Sequence, residues 1–264
     1  MNQPTRRTLL CSIAGAAALS GCSENTESPN DSGQFEQASV KDQQLVVAMS
    51  ESLDADTISV INPDGEAFAE TNPNAGVTRV TFDIGTEYVP GEYRILATDG
   101  EETVAETTTL IEPDLEIVEV GVGANHLNRM PEELGVTQEV ECYIEVRNTG
   151  PGPEFIDKLQ IKGGVPNPTE LAEEESGIFN AQNGGGESEG ILIVGGETRD
   201  IFSNTLPFWF DGDGVDCTSE SKRKTANVTI STEVSQDIER SPEVTYSSSP
   251  EYDGCNVEIN SSGD

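Results

Sequence analysis

The sequence is poor in basic residues. Its 264 residues include 14 Lys and Arg against 49 Asp and Glu, which gives a formal net charge of −35. Nucleic-acid binders contact phosphates through many Lys and Arg side chains, so this composition excludes a nucleic-acid partner. The same shortage argues against electrostatic docking on anionic lipid.

Histidine and catalytic motifs are also scarce. The single histidine, His126, excludes a blue-copper site and any other metal site with several His ligands. It follows a predicted strand within Ala-Asn-His-Leu-Asn-Arg, so we predict an exposed loop residue. The Gly-x-Ser-x-Gly pattern occurs at Gly186-Glu187-Ser188-Glu189-Gly190, but this acidic, glycine-rich stretch lacks the preceding strand and following helix of a nucleophile elbow. Carboxylate pairs are too common in this chain to single out a glycosidase pair. We therefore expect a non-enzymatic protein, with a degenerate secreted hydrolase as an alternative.

The acidic residues are scattered among Val, Ile, Thr and Phe, and the alternation typical of strands is kept, which favours a folded chain. A charge of −35 repels itself strongly at low ionic strength. Near 1 M salt the Debye length falls to about 3 Å and this repulsion collapses. With few Lys and much Asp and Glu, the composition resembles that of proteins from extreme halophiles such as haloarchaea.

The N-terminal segment carries the features of an export signal. Residues 1–7 contain no acid and include Arg6 and Arg7, and the apolar run Leu9–Leu19 follows. A permanent transmembrane helix needs about twenty residues, so this shorter run fits a cleaved signal. Thr5-Arg6-Arg7-Thr8-Leu9-Leu10 resembles a twin-arginine motif, which implies export of the folded protein.

The sequence Leu19-Ser20-Gly21-Cys22 resembles a lipobox. The resemblance implies cleavage before Cys22, a lipid thioether on its sulfur, and anchoring in the bilayer at the outer face of the cell membrane. The alternative is that Cys11 and Cys22 are only small apolar residues of a signal peptide. Ser23 to Gln37 has no periodicity and few apolar residues, which indicates a flexible tether.

Beyond the tether, short β-branched runs alternate with Pro and Gly, which is typical of strands and turns. Strands are predicted at residues 45–49, 57–61, 77–84, 91–98 and 103–111, with hairpin turns at Pro63-Asp64-Gly65 and Asp99-Gly100. The stretch from Tyr88 to Ala97, with a Pro-Gly turn before an aromatic strand, resembles the late hairpin of immunoglobulin-like modules.

A second strand-rich region follows Glu112-Pro113. Leu115 to Val122 alternates, and Val140, Cys142, Ile144 and Val146 share one face of the next predicted strand. A strand ending in Asn148-Thr149-Gly150, the Ile-Lys-Gly-Gly of residues 161–164, a Gly-Glu turn and a closing Val-rich strand resemble the CARDB family of prokaryotic surface modules. This resemblance implies an immunoglobulin-like, adhesion-type β-sandwich.

The predicted fold is all-β, with two immunoglobulin-like β-sandwich domains after a signal peptide and a flexible tether. The predicted parts are a signal peptide over 1–21, a lipidated tether over 22–38, an immunoglobulin-like sandwich over 39–112 and a CARDB-like sandwich over 113–262 with an insert near 166–190. Within the insert, the glycine run of 184–186 indicates a mobile loop. A phosphate-binding loop is excluded, since no Lys-Ser or Lys-Thr follows it.

Three cysteines remain after the signal and the lipid site. Cys142 lies on an apolar strand face, so we predict a buried thiol. Cys217 and Cys255 both lie beside acidic turns, and an exported protein allows disulfides. We predict a Cys217–Cys255 disulfide, and three free thiols are the alternative.

Three further features give candidate sites. Asp211, Asp213 and Asp216 are spaced like calcium ligands, but the EF-hand pattern lacks its sixth-position Gly and its closing Glu. We therefore expect no cofactor, with Ca²⁺ as the alternative. N-glycosylation triplets begin at Asn30, Asn227 and Asn260, of which Asn227 is the poorest if its predicted strand is paired. Pro207-Phe208-Trp209-Phe210 is predicted as core rather than as an exposed binding cluster.

Together these features predict a lipid-anchored, surface-exposed protein that binds a surface protein or glycan, or spaces one from the membrane. The competing hypothesis is an accessory or ligand-binding subunit of a transport system. A solute receptor with two α/β lobes is disfavoured because helical patterns are scarce.

Overall fold

The computed structural model describes residues 33–181, 185–210, 221–248 and 255–260. The described chain is built of antiparallel strands and two short 3-10 helices, Gly123–Asn125 and Glu132–Thr137, which confirms the all-β prediction. The strands are β1 Phe35–Lys41, β2 Gln44–Met49, β3 Thr57–Ile61, β4 Ala67–Thr71, β5 Arg79–Asp83, β6 Gly91–Asp99, β7 Glu102–Ile111, β8 Leu115–Val122, β9 Cys142–Asn148, β10 Glu154–Gly163, β11 Ile191–Ile193, β12 Thr198–Phe202, β13 Lys222–Thr232, β14 Ile238–Arg240, β15 Glu243–Ser248 and β16 Cys255–Asn260.

The first domain packs the three-stranded sheet β1-β2-β5 against the four-stranded sheet β4-β3-β6-β7. In β2 and β6 every second side chain is buried, because period-2 alternation places those residues on the inner face. Tyr93 lies in this core and donates its hydroxyl to Val89 O at 2.9 Å, a tyrosine bonded back to the chain before its strand. Both predicted hairpin turns form, with Gly65 at φ 83° and Gly100 at φ 59°.

The boundary predicted between the tether and the first domain is wrong. β1 begins at Phe35, inside the segment predicted as flexible, and pairs antiparallel with β2. The segment was missed because β1 is an edge strand whose side chains are only partly buried, so its sequence alternates weakly. Its Phe35, Ala38 and Val40 nevertheless pack against the core of the first domain.

The second domain packs a six-stranded sheet, β11-β10-β13-β15-β16 with β14 beside β13, against the three-stranded sheet β12-β9-β8. Its core is formed by the inner faces of both sheets, and Cys142, Ile144 and Val146 of β9 are fully buried there. β8 spans the residues predicted for it. The prediction of two β-sandwiches is therefore confirmed.

Two segments of the second domain lie outside the sandwich layers. One is the connection 123–141 between β8 and β9, and the other is the insert 166–190. The insert is not simply a loop: Ile178 is fully buried and bridges to Ser203, and Phe179 is 8% exposed. Gly186 O accepts a hydrogen bond from Asn180 N, so the described end of the glycine run is tied to the insert.

The two domains meet through loops at their ends. Tyr88 donates to Pro153 O at 2.9 Å, and Thr86 donates to Glu233 Oε2 at 3.1 Å. Glu154 is fully buried at this junction, where its carboxylate accepts backbone N–H bonds from Phe155, Val234 and Ser235. Hydrogen bonds to a charged acceptor are stronger than neutral ones, so Glu154 ties the start of β10 to the turn at residues 234–235.

Within the described residues, no helix is long and apolar enough to cross a membrane.

Candidate functional site on the outer face of the three-stranded sheet

Three carboxylates stand side by side on the outer face of sheet β12-β9-β8. Glu145 of β9 is directly opposite Glu119 of β8 on one side and opposite Asp200 of β12 on the other. Like charges directly opposite each other destabilise a sheet. This row therefore needs a cation to hold it together.

Arg129, from the connection 123–141, supplies that cation. Its Nη1 lies 2.8 Å from Glu119 Oε2, its Nη2 lies 2.6 Å from Glu145 Oε2, and its Nε lies 3.1 Å from Asp200 Oδ2. Nη2 also bonds Asp200 Oδ1. Burial alone would lower the pKa of Arg129, but the hydrogen bonds to Asp200 and Glu145 outweigh it and raise that pKa. We call this group the Arg129 cluster.

Tyr143 of β9 completes the cluster. The Arg129 guanidinium lies 4.0 Å from the centroid of the Tyr143 ring, a cation–π distance. The Tyr143 hydroxyl donates to Glu119 Oε1 at 2.9 Å, and burial together with this bond raises the pKa of Tyr143 to about 12. For Glu119, burial would raise the pKa, but the bonds from Tyr143 and Arg129 outweigh it and lower that pKa.

His126 packs edge-on against Tyr143, with ring centroids 5.3 Å apart. It lies in the predicted loop but is partly buried, so the prediction of an exposed residue is wrong. The local sequence does not show this burial, because it arises when the connection 123–141 folds back over the face of the sheet. Met130 and Leu134 of the same connection pack with Tyr143 and Phe179 in a small apolar cluster.

A cleft of about 290 Å³ lies beside the Arg129 cluster, between β11, β12 and the insert. We call it the insert cleft. Its lining comprises Phe179, Asn180, Ala181, Ser188, Gly190, Ile191, Leu192, Arg199, Asp200 and Phe202. Asp200 therefore belongs to both features, and the insert and β12 form the two walls. Most ligand sites in proteins have predominantly apolar walls with a few placed polar groups, and the insert cleft is more polar than that.

Arg199 is held in place within the cleft. Its Nη1 donates to Leu192 O at 2.8 Å, and its Nε lies 4.0 Å from Glu197 Oε1. Its side chain is 33% exposed, so the guanidinium is both positioned and reachable.

A buried polar group lies at the start of β9. Glu141 is 1% exposed, and its Oε2 accepts bonds from Ser203 Oγ and from Leu206 N at 3.3 Å. Ser203 Oγ in turn accepts from Cys142 N at 3.0 Å and from Cys142 Sγ at 3.5 Å. Burial, opposed by the bonds from Ser203 and Leu206, raises the pKa of Glu141 to about 7. Burial also raises the pKa of the Cys142 thiol, which is free and buried as predicted.

The prediction that Pro207-Phe208-Trp209-Phe210 is core is wrong in one respect. Phe208 is 2% exposed and Phe210 packs edge-on against Tyr246, but Trp209 is 49% exposed. Three consecutive residues outside a strand cannot all point into one core. Leu206, which precedes them, has φ 51°, a left-handed conformation unusual for Leu.

Several predicted site residues lie outside the described residues: Arg6, Arg7, Leu19, Ser20, Gly21, Cys22, Asn30, Asp211, Asp213, Asp216 and Cys217. Asn227 lies in β13, which pairs with β10 on one side and with β14 on the other, so it is the poor glycosylation candidate that strand pairing predicts. Asn260 is exposed at the end of β16.

Cys255 is disulfide-bonded, and its pairing with Cys217 stays a prediction. Among the described residues, no group of three His, Cys, Asp or Glu forms a metal site.

Sequence reasoning missed Arg129, Arg199 and Glu141. A usable signal was the rarity of Arg: in a chain with 14 basic residues, each cation far from a chain end is a candidate for a charge cluster. The sequence alone gave no sign of which carboxylates each Arg would meet.

No protein family model and no curated protein matches the chain. Among solved structures, a glycosyl hydrolase family 2 member from Bacteroides cellulosilyticus is 10% identical, with a TM-score of 0.24 over 76% of this chain and 24% of that chain. Salmonella α-2-macroglobulin is 10% identical, with a TM-score of 0.22 over 76% and 13% of the two chains. The α-2-macroglobulin from Escherichia coli is 13% identical, with a TM-score of 0.20 over 82% and 16%.

The chain thus spans about a quarter or less of the length of these proteins. At these TM-scores the likeness carries no argument about this chain, and its fold class follows from its own strands and sheets.

Proposed function

We propose that this protein is an exported, lipid-anchored and non-enzymatic binding module of a halophile. In this proposal Cys22 carries the anchor, the first domain acts as a spacer, and the second domain contacts a ligand or partner through the outer face of its three-stranded sheet. The observation that carries the proposal is the insert cleft, which is formed by segments added to an otherwise simple sandwich.

Strand direction supports the role of spacer. Phe35 pairs with Met49 at one end of the first domain, whereas Asp83 pairs with Gln44 at the other end, which leads to Thr86 and the junction. At about 3.3 Å per residue, the nine-residue β6 and the ten-residue β10 are each about 3 nm long. The two domains contact each other through their end loops, so the junction lies at the end of the first domain opposite Phe35.

Two observations favour binding over catalysis. Ser203 and Glu141 form a hydroxyl–carboxylate pair, but Ser203 is fully buried and Glu141 is 1% exposed, so no substrate reaches them. His126 stacks on Tyr143, away from that pair. A nucleophile needs both a base and access to the substrate.

A second candidate function, an accessory ligand-binding subunit of a transport system, is favoured by the small size of the insert cleft. Co-purification of a permease with the protein after mild detergent extraction would select this function.

The anchoring part of the proposal is tested by expression in a haloarchaeal host. The Cys22→Ala variant is expected in the culture medium, whereas wild type stays with the membrane fraction. Cys11→Ala is the matched control, since it removes the other cysteine of the signal region and should leave the protein on the membrane. Retention of Cys22→Ala in the membrane fraction would contradict the proposal.

A further inference from the structure

We propose that the insert cleft binds a compact carboxylate-bearing ligand of single-sugar size, with hexuronic acids as the chemical class and Arg199 as the residue that receives the carboxylate. This inference rests on the proposed function, because it assigns a ligand class to the same site.

Size limits the ligand first. Drug-sized ligand sites span roughly 300 to 1,000 Å³, and the insert cleft, at about 290 Å³, lies at the bottom of that range. It accommodates one sugar-sized group. A longer glycan would have to place one terminal or branching sugar unit inside the insert cleft, with its other sugar units in solvent.

Charge decides the sign of the ligand. Arg199 and Asp200 are the two charged residues among those lining the cleft. Asp200 pairs with Arg129 through both carboxylate oxygens, but Arg129 also serves Glu119 and Glu145, so the charge of Asp200 is only partly balanced. Arg199 is therefore the point of the cleft where a carboxylate gains direct contact with a cation, and near 1 M salt the repulsion from the surrounding carboxylates is screened.

The geometry of Arg199 suits a carboxylate. The bond from Nη1 to Leu192 O fixes the guanidinium plane, and among the described residues Nη2 has no hydrogen-bond partner. A planar guanidinium binds a carboxylate through two parallel N–H bonds, which a Lys ammonium does not reproduce. Such contact bonds persist in strong brine, whereas attraction over more than about 3 Å is screened near 1 M salt.

The remaining walls suit a sugar ring. Phe202 and Ile191 are partly buried and present apolar surface to the cleft, against which the C–H face of a pyranose ring packs. Ser188 Oγ donates to Gly190 O at 2.8 Å and so fixes the turn of the insert that forms the opposite wall. The combination of an apolar wall and one positioned cation distinguishes a uronic acid from a neutral hexose.

The test is titration calorimetry of the full-length chain in concentrated KCl with sodium glucuronate, glucose and acetate as probes. Glucuronate is expected to bind with a Kd of about 1 to 10 mM, and glucose and acetate at least about tenfold more weakly. Arg199→Gln should weaken glucuronate binding about tenfold. The matched control is Arg147→Gln, which removes an exposed Arg of the same sheet paired with Glu116 outside the cleft, and it should leave the Kd unchanged.

Three results would overturn the inference: no heat from glucuronate up to about 50 mM, well above the expected Kd, equal affinity for acetate or glucose, or an unchanged Kd in Arg199→Gln. Trp209 fluorescence and a thermal melt establish that each variant is folded.

Failure of the ligand assignment and failure of the proposed function can be told apart. If glucuronate does not bind but Cys22→Ala is released, the ligand class is wrong and the anchor stands. Binding of glucuronate by a protein whose Cys22→Ala variant stays on the membrane supports the ligand class and rejects the anchor.

Discussion

The two domains share a β-sandwich plan but use their few basic residues differently. In the first domain Arg94 pairs with Glu106 across β6 and β7 at 2.8 Å, with 52% of the Arg94 side chain exposed. In the second domain Arg129 is 24% exposed and bridges three carboxylates on three neighbouring strands. Exposed pairs contribute little to stability, whereas partly buried networks contribute more.

This difference shows where the second domain departs from a plain sandwich. The connection 123–141 and the insert 166–190 cover one sheet face and bring with them a second apolar cluster, the Arg129 cluster and the insert cleft. The first domain has short turns in the corresponding places, such as the hairpins at Gly65 and Gly100. Binding chemistry is therefore expected on the added segments rather than on the common framework.

The first expected effect is that of Arg129→Met. Removing the guanidinium leaves Glu119, Glu145 and Asp200 adjacent without a counter-charge. Because these side chains are partly exposed, the free energy of unfolding of the second domain should fall by about 2 kcal/mol at the lowest salt at which the wild type is folded, between the values for exposed and buried pairs. The loss should shrink as KCl is raised, because screening weakens the repulsion among the carboxylates. Urea unfolding followed by fluorescence reports on this domain, since Trp209 is the single Trp of the chain.

Arg94→Met is the matched control in the first domain, and calorimetry, which detects the unfolding of both domains, should show the transition of the first domain unchanged. Equal shifts for Arg129→Met and Arg94→Met would remove the contrast between the two domains.

The second effect concerns pH and Glu141. The pKa of this carboxyl is raised from 4.5 to about 7 in the folded chain. Its contribution to stability is therefore full below pH 4.5 and is lost as the pH rises through about 7. Glu141→Gln keeps the acceptor for Ser203 and Leu206 but cannot ionise. At pH 8 it should be more stable than wild type by about 2 to 3 kcal/mol, with no difference near pH 4.

Urea unfolding across this pH range, with Trp209 fluorescence, measures the difference between variant and wild type. Glu139→Gln, an exposed neighbour on the same segment, serves as the control and should follow the wild-type pH profile. A Glu141→Gln profile parallel to that of wild type would show that the folded-state pKa of Glu141 is not raised.

The smallest effect concerns the junction. Tyr88→Phe removes the hydroxyl that bonds Pro153 O, and should cost about 1 kcal/mol. Because this bond joins the two domains, calorimetry should show their transitions moving apart. Tyr93→Phe loses a bond of the same length within the first domain, and should lower that domain's transition without affecting the second. If both variants behave alike, the junction does not couple the domains.

Local patterns predicted most of the framework. Period-2 alternation located β3 at Thr57–Ile61, where buried and partly buried residues alternate. The apolar residues of Leu115–Val122 located β8, although its register shifts between Ile117 and Glu119 and its last three residues are all buried. β1 and β4 were not predicted, since edge strands bury little and their alternation is correspondingly weak. Most strands of the framework could thus be predicted from residue patterns that extend over only a few positions.

The candidate site did not follow from local patterns. Arg129 meets Glu119, Glu145 and Asp200 at separations of 10, 16 and 71 residues. Glu141 is buried because residues 203–206, more than 60 positions away in the sequence, contact its carboxylate. Contacts of this kind depend on how the connections pack, which no spacing within the chain reveals.

The Arg129 cluster also constrains the order in which the second domain forms. If sheet β12-β9-β8 assembled first, three carboxylates would lie in a row with no counter-charge. The connection 123–141 must therefore close as the sheet closes, which makes an irregular surface segment part of the cooperative folding unit rather than a region that frays on its own. In this molecule the loop stabilises the sheet that it covers, and a change in the loop acts on the whole domain.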